Sequence, residues 1–162
     1  MLDIKRLSSN RLLLQYGWNP SYKVNVEKSY LWTKRNGCSS QIPMEELFPA
    51  VKDIIEALDG IIIGDLHPGL SLGSCDTIEF DFFNYDEYNV SELLSIQEII
   101  GKRMAFIGIG YDIIGDWLVD EEGLIYFRNK IRDRLHIVSK DIYQFLEHDI
   151  YKITDINANK FL

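Results

Sequence analysis

Between Asp53 and Gly101 the chain holds not one lysine or arginine, and across residues 51 to 100 eleven acids face a single cation, Lys52. That segment carries −10, against +3 for residues 1 to 50 and −1 for the remainder. A field of this sign repels phosphate backbones and draws basic protein surfaces, so direct nucleic-acid binding is disfavoured. Cysteine is scarce too: Cys38 and Cys75 stand in neither a CxxC nor a Cys/His cluster. No disulfide framework or zinc site is implied, and both read as reduced packing residues. The three histidines, His67, His136 and His148, lie far apart without a second ligand at metal spacing. They read as a turn residue, a residue on a wet strand face and a helix-end residue.

Long apolar runs are missing as well. Ile61 to Ile63 and Met104 to Ile109 are far too short for a membrane span, and MLDIKRLSSN has no signal-peptide stretch, so a cytoplasmic protein is expected. No repeat or Pro/Ser-rich linker divides the 162 residues. With 46% apolar residues they suffice for one packed domain, its core spanning about 12–150.

Periodicity supplies the elements. Ile4, Leu7 and Leu14 suggest one opening helix through Gln15, stopped by Gly17 and Pro20. Asn25 can cap a second helix through Asn36, with Val26, Tyr30 and Thr33 inward and Gly37 as terminator. Val51, Ile54, Ile55 and Leu58 mark a third, with Pro49 in its first turn and Gly60 at its close. After a short run at Ile61–Ile63 and a turn at His67–Gly69, DTIEFDFF alternates Ile78, Phe80 and Phe82 with Thr77, Glu79 and Asp81, as in a strand with one buried and one wet face. A helix from about Val90 to Ile100, capped by Asn89, follows. MAFIGIG, IIGDWLV, LIYF and RLHIV then read as an antiparallel meander with a DEEG hairpin at residues 120–123. A closing helix capped by Ser139 runs to about Glu147, and the tail after Ile153 looks loosely held. The class is α+β, a largely antiparallel sheet packed with N-terminal and C-terminal helices.

No catalytic motif emerges. Gly108, Gly110 and Gly115 superficially suggest a phosphate loop, but strand-like residues follow where a helix must open. DTIEFDFFNYDEY interleaves Asp76, Glu79, Asp81, Asp86 and Glu87 with Phe83, Tyr85 and Tyr88. It reads as a solvated strand face, as a metal-assisted hydrolytic site built on Glu79, Asp81 and Asp86, or as a docking surface for a basic protein. Aromatic anchors within an acidic rim favour docking through Glu79, Asp81, Phe83, Tyr85, Asp86, Glu87 and Tyr88, with no cofactor and no metal.

The order of motifs resembles the SUKH superfamily, and within it the third immunity-protein subgroup, over about residues 12–150. GWNP at 17–20, ELFPAVKDIIEALDGIII, IGKRMAFIGIG and WLVDEEGLIYF carry the likeness. The matching positions Gly17, Trp18, Pro20, Gly60, Gly108, Trp117, Asp120, Gly123 and Tyr126 are expected to be mostly structural. Ser21 and Tyr22 stand where Gly and Arg are expected, and Asp59 where a second Gly is commoner. The resemblance implies a non-enzymatic bacterial immunity protein that binds the domain of a polymorphic toxin, a basic nuclease being the expected target. It acts without membrane or nucleic-acid contact and is expected to be a monomer; a regulatory adaptor is the other role found among such proteins.

Overall fold

Where a sheet carries helices on both faces, every strand position can be apolar, and the alternation that marks a half-wet strand fades. The burial of the central strands follows that rule. A computed structural model describes residues 1–35, 46–64, 77–82, 87–110, 115–147 and 154–156. Its strands β1 (Ile62–Ile63), β2 (Ile78–Glu79), β3 (Met104–Gly110), β4 (Gly115–Asp120), β5 (Ile125–Asn129), β6 (Arg134–Ser139) and β7 (Thr154–Ile156) form one antiparallel sheet in sequence order. The helices are α1 (Ile4–Ser8), α2 (Arg11–Gln15), α3 (Val26–Arg35), α4 (Pro49–Leu58), α5 (Glu87–Ile100) and α6 (Ile142–Leu146). The α+β class is as expected. No helix among the described residues is long and apolar enough to cross a membrane.

The main core lies on one face of the sheet. Leu7, Leu13, Val51, Ile55, Leu58 and Phe145 from five-residue and ten-residue helices pack against Ile78, Ile107, Trp117, Val119, Phe127 and Val138. Trp117 meets Phe127 and Phe145 at ring-centroid distances of 4.7 and 4.9 Å. On the opposite face α5 lays Leu93 and Ile96 over Met104, Phe106, Leu118, Tyr126 and Leu135. The sheet is therefore covered from both sides, not only by terminal helices.

Several local expectations change for physical reasons. The opening helix is two helices, because Asn10 leaves the helical conformation to cap α2, accepting from Leu13 N at 2.9 Å and donating to Leu146 O at 2.7 Å. A buried amide serving two elements outweighs continued helical spacing. Helix α5 begins at Glu87, two residues ahead of Asn89. Asp141, not Ser139, caps α6 by accepting from Gln144 N at 2.7 Å. His136 is buried, since the face expected to be wet is the main-core face opposite Phe127. Thr154–Ile156, expected to be loosely held, pairs with β6 as a further strand. The proposed turn at 67–69, Gly37, His67, His148, Cys38 and Cys75 lie outside the described residues.

One close approach sets the spacing of the sheet. The ladder between β3 and β4 shifts register between Phe106 and Gly108, so Gly108 lies opposite Trp117 on the main-core face. A Cβ there would stand 2.4 Å from Glu79 O and 2.8 Å from Ile78 Cγ1. Backbone cannot yield as a flexible side chain can, so Gly108→Ala is expected to destabilise the fold by about 1–3 kcal/mol, the usual scale of overpacking. Urea unfolding with an unchanged m-value checks this.

Candidate functional site

The mid-chain acids do not act as one block. Asp53 pairs with the Met1 amino group at 2.5 Å, Glu56 with Lys23 at 2.8 Å and Glu92 with Arg128 at 2.9 Å, so cations from outside the segment neutralise three of them. What remains together is smaller. Ile78, Phe80 and Phe82 are buried as the alternation predicts, and Thr77, Glu79 and Asp81 between them are half-buried, not fully wet. The backbone of Phe80 still pairs beyond β2, accepting from Gly60 N at 2.7 Å and donating to Ile61 O at 2.9 Å. This brings Asp59, at the end of α4, beside Asp81.

The charge on Asp81 acts on both Asp59 and Glu79. Burial is the main cause that holds the Asp59 carboxyl above its ordinary range, and the charge on Asp81 pushes it further, against hydrogen bonds from Ser29 and Phe82 N. Burial also raises Glu79, again reinforced by Asp81. Among the described residues no three His, Cys, Asp or Glu side chains are gathered to hold a metal ion. Phe83, Tyr85 and Asp86 lie outside the described residues, while Glu87 and Tyr88 belong to the first turn of α5.

The positions singled out by motif do structural work around this edge. Gly17 (φ +91°) turns the chain so that Trp18 is buried and donates Nε1–H to Ala57 O at 2.9 Å, while Pro20 stays exposed in the next turn. Gly60, at φ +84°, ends α4. At the far end of the sheet the fully buried Asp120 organises the β4–β5 hairpin. Its Oδ1 accepts from Glu122 N and Leu124 N at 3.0 and 2.9 Å, and its Oδ2 from the Tyr126 hydroxyl at 2.9 Å and Lys102 Nζ at 3.3 Å. Gly123 supplies the positive φ of that turn, at +94°. Burial, and then the bond to Asp120, hold the Tyr126 hydroxyl far above its usual range, so it stays a donor.

A family model for the SUKH-3 immunity protein matches residues 8–148. The chain belongs to the SUKH-3 immunity protein family. The comparison with curated proteins gives no match, and neither does the comparison with solved structures.

Within this SUKH-3 chain, two unexpected residues prove to be neighbours. The Tyr22 hydroxyl donates to the Asp59 carbonyl oxygen at 2.6 Å, and Ser29 Oγ donates to Asp59 Oδ2 at 2.7 Å. A Cβ on Gly60 would lie 3.4 Å from the same Tyr22 oxygen, so the tyrosine closes over this turn. Residues 22 and 59 stand 37 positions apart, and no local pattern announces the contact.

Because the fold raises the Asp59 carboxyl, the native state binds its proton more tightly than the unfolded chain does. Its contribution to stability is therefore fully present below the ordinary carboxylate range and is lost as pH rises through the raised value. Asp59→Asn, whose amide oxygen can still accept from Ser29, is expected to raise the melting temperature at neutral pH and to leave it unchanged at acid pH. Thermal melts of both proteins across the acid-to-neutral range decide this; an equal shift at every pH contradicts it.

Proposed function

We propose that this chain neutralises a cognate toxin domain by covering a basic surface on it, acting by stoichiometric binding without turnover. Membership of an immunity-protein family supports the immunity role. The observation that carries the choice of surface is that Asp81 lies close enough to two other carboxylates, Asp59 from the end of α4 and Glu79 from β2, for its charge to disfavour the ionised form of each. A lysine or arginine arriving from a partner relieves that repulsion, so binding and ionisation reinforce each other. Phe83, Tyr85, Asp86, Glu87 and Tyr88 follow directly in sequence and extend the same surface in this reading, the aromatics as anchors and the acids as rim.

A nuclease suits such a surface best, since it must present cations to a phosphate backbone and an acidic inhibitor can occupy them. The protein is expected to work in the cytoplasm of the producing cell, beside the toxin it restrains. Steering by opposite charge speeds encounter and makes it salt-dependent.

The test is a titration of the toxin domain encoded beside this gene. Glu79→Lys with Asp81→Lys is expected to weaken binding at least about 100-fold, on the scale of close interfacial charge pairs, and to abolish protection of cells expressing the toxin. Wild-type affinity should fall as salt rises. Undiminished affinity and protection in the double variant sink the proposed surface.

A further inference from the structure

Between the residues leading into α1, the turn after Trp18 and the outer flank of α4 lies a cavity of about 240 Å³ that opens to solvent. Leu2, Ile4, Tyr22 and Ala57 give it apolar walls, and Asp53 and Glu56 stand in the same lining. Sites for drug-sized ligands start at roughly 300 Å³, so the space suits one long side chain better than a cofactor. Tyr22 is anchored at its far end, where its hydroxyl donates to the Asp59 carbonyl oxygen at 2.6 Å. The cavity therefore borders the surface proposed above. Asp53, Glu56 and Asp59 recur at every third position along one flank of α4 to its C-cap, about 9 Å from first to last at about 1.5 Å per residue.

The charges in this lining are of two kinds. Asp53 pairs with the Met1 amino group at 2.5 Å, and Glu56 with Lys23 Nζ at 2.8 Å. Exposure separates the partners: the two acids are 30 and 34% exposed, Met1 and Lys23 87 and 68%. The acids ride on a helix whose other face is core, through Val51, Ile54, Ile55 and Leu58, so their places are fixed, whereas the two cations reach in from solvent. Ion pairs this exposed contribute little, and exchanging the cation costs correspondingly little.

Fixed negative charge behind exchangeable positive charge selects a cation, and the walls select which one. A guanidinium is planar, bonds carboxylates at two points and stacks on an aromatic ring, while its stem lies along apolar surface. Two carboxylates three positions apart on one helix, the Tyr22 ring and the aliphatic Leu2 and Ile4 match each of these needs. An ammonium is more strongly hydrated and draws less from the ring and the walls. A phosphate or carboxylate would meet Asp53 and Glu56 as like charges.

We propose that this cavity receives one arginine side chain of the toxin. Its guanidinium takes the places of the Met1 amino group and Lys23 Nζ on Asp53 and Glu56, and its stem lies along Leu2, Ile4 and Tyr22. Lys23 is then a built-in competitor, satisfying Glu56 in the free protein and released to solvent on binding. This inference rests on the immunity reading and adds a contact beside the surface already proposed for it.

Lys23→Ala removes the competitor. It is expected to tighten binding of the toxin domain encoded beside the gene by about 3-fold, the scale of an exposed ion pair, at an unchanged melting temperature. Glu56→Gln, which keeps the shape of the side chain, is expected to weaken binding about 10-fold, and in its background Lys23→Ala is expected to bring no gain. Lys140→Ala, at an exposed lysine ahead of α6, makes the same change in net charge and is the control. A gain there equal to that of Lys23→Ala overturns the cavity contact in favour of long-range attraction alone. Weaker binding on Lys23→Ala also overturns it, an anion or the intact ion pair then being what the toxin reads. Equal affinity of wild type, Lys23→Ala and Glu56→Gln overturns it and leaves the immunity reading standing. Failure of the wild-type chain to bind that toxin overturns both.

Discussion

Coverage of the central strands on both faces is the constraint from which the other features descend. With the main core on one side and α5 on the other, strands β4 and β5 have no wet face, and the charged side chains on them find partners inside the protein. Asp120 does so with two backbone amides, a tyrosine hydroxyl and a lysine. Asp116 and Arg128 do so with Lys130, Glu92 and Asp133. These groups are arranged at opposite ends of the same face, one closing the β4–β5 hairpin and the other fixing the β5–β6 turn.

Surface chemistry is accordingly pushed to the margins of the sheet. At the β2 side, where the ladder is short, Glu79 and Asp81 remain half-buried beside Asp59. At the turn beyond β5, Ile131 and Arg132 reach solvent.

Much of the fold could be read before any coordinates. Helix α4 ends where Gly60 says it must, the DEEG hairpin forms on Gly123, and Ile78, Phe80 and Phe82 are buried on alternate positions. The misreadings share a cause. Asn10 breaks the first helix because it reaches Leu146, 136 positions away, and His136 is buried because helices cover a face that alternation assigned to water. The charge count was likewise sound as a sum and misleading as a map: a −10 segment contains acids that are matched by the amino terminus, Lys23 and Arg128.

Composition, periodicity and turn chemistry thus determined the class of the protein, the order of most of its elements, the glycine turns and its motif likeness to an immunity family, because each depends on residues near one another in the chain. Tertiary structure alone decided which carboxylates stay grouped, that Tyr22 closes over Asp59, and that Arg128 on β5 meets Glu92 on α5. Those outcomes depend on which distant strands and helices become neighbours, and Coulomb energy and burial respond to distance in space, not to separation along the sequence.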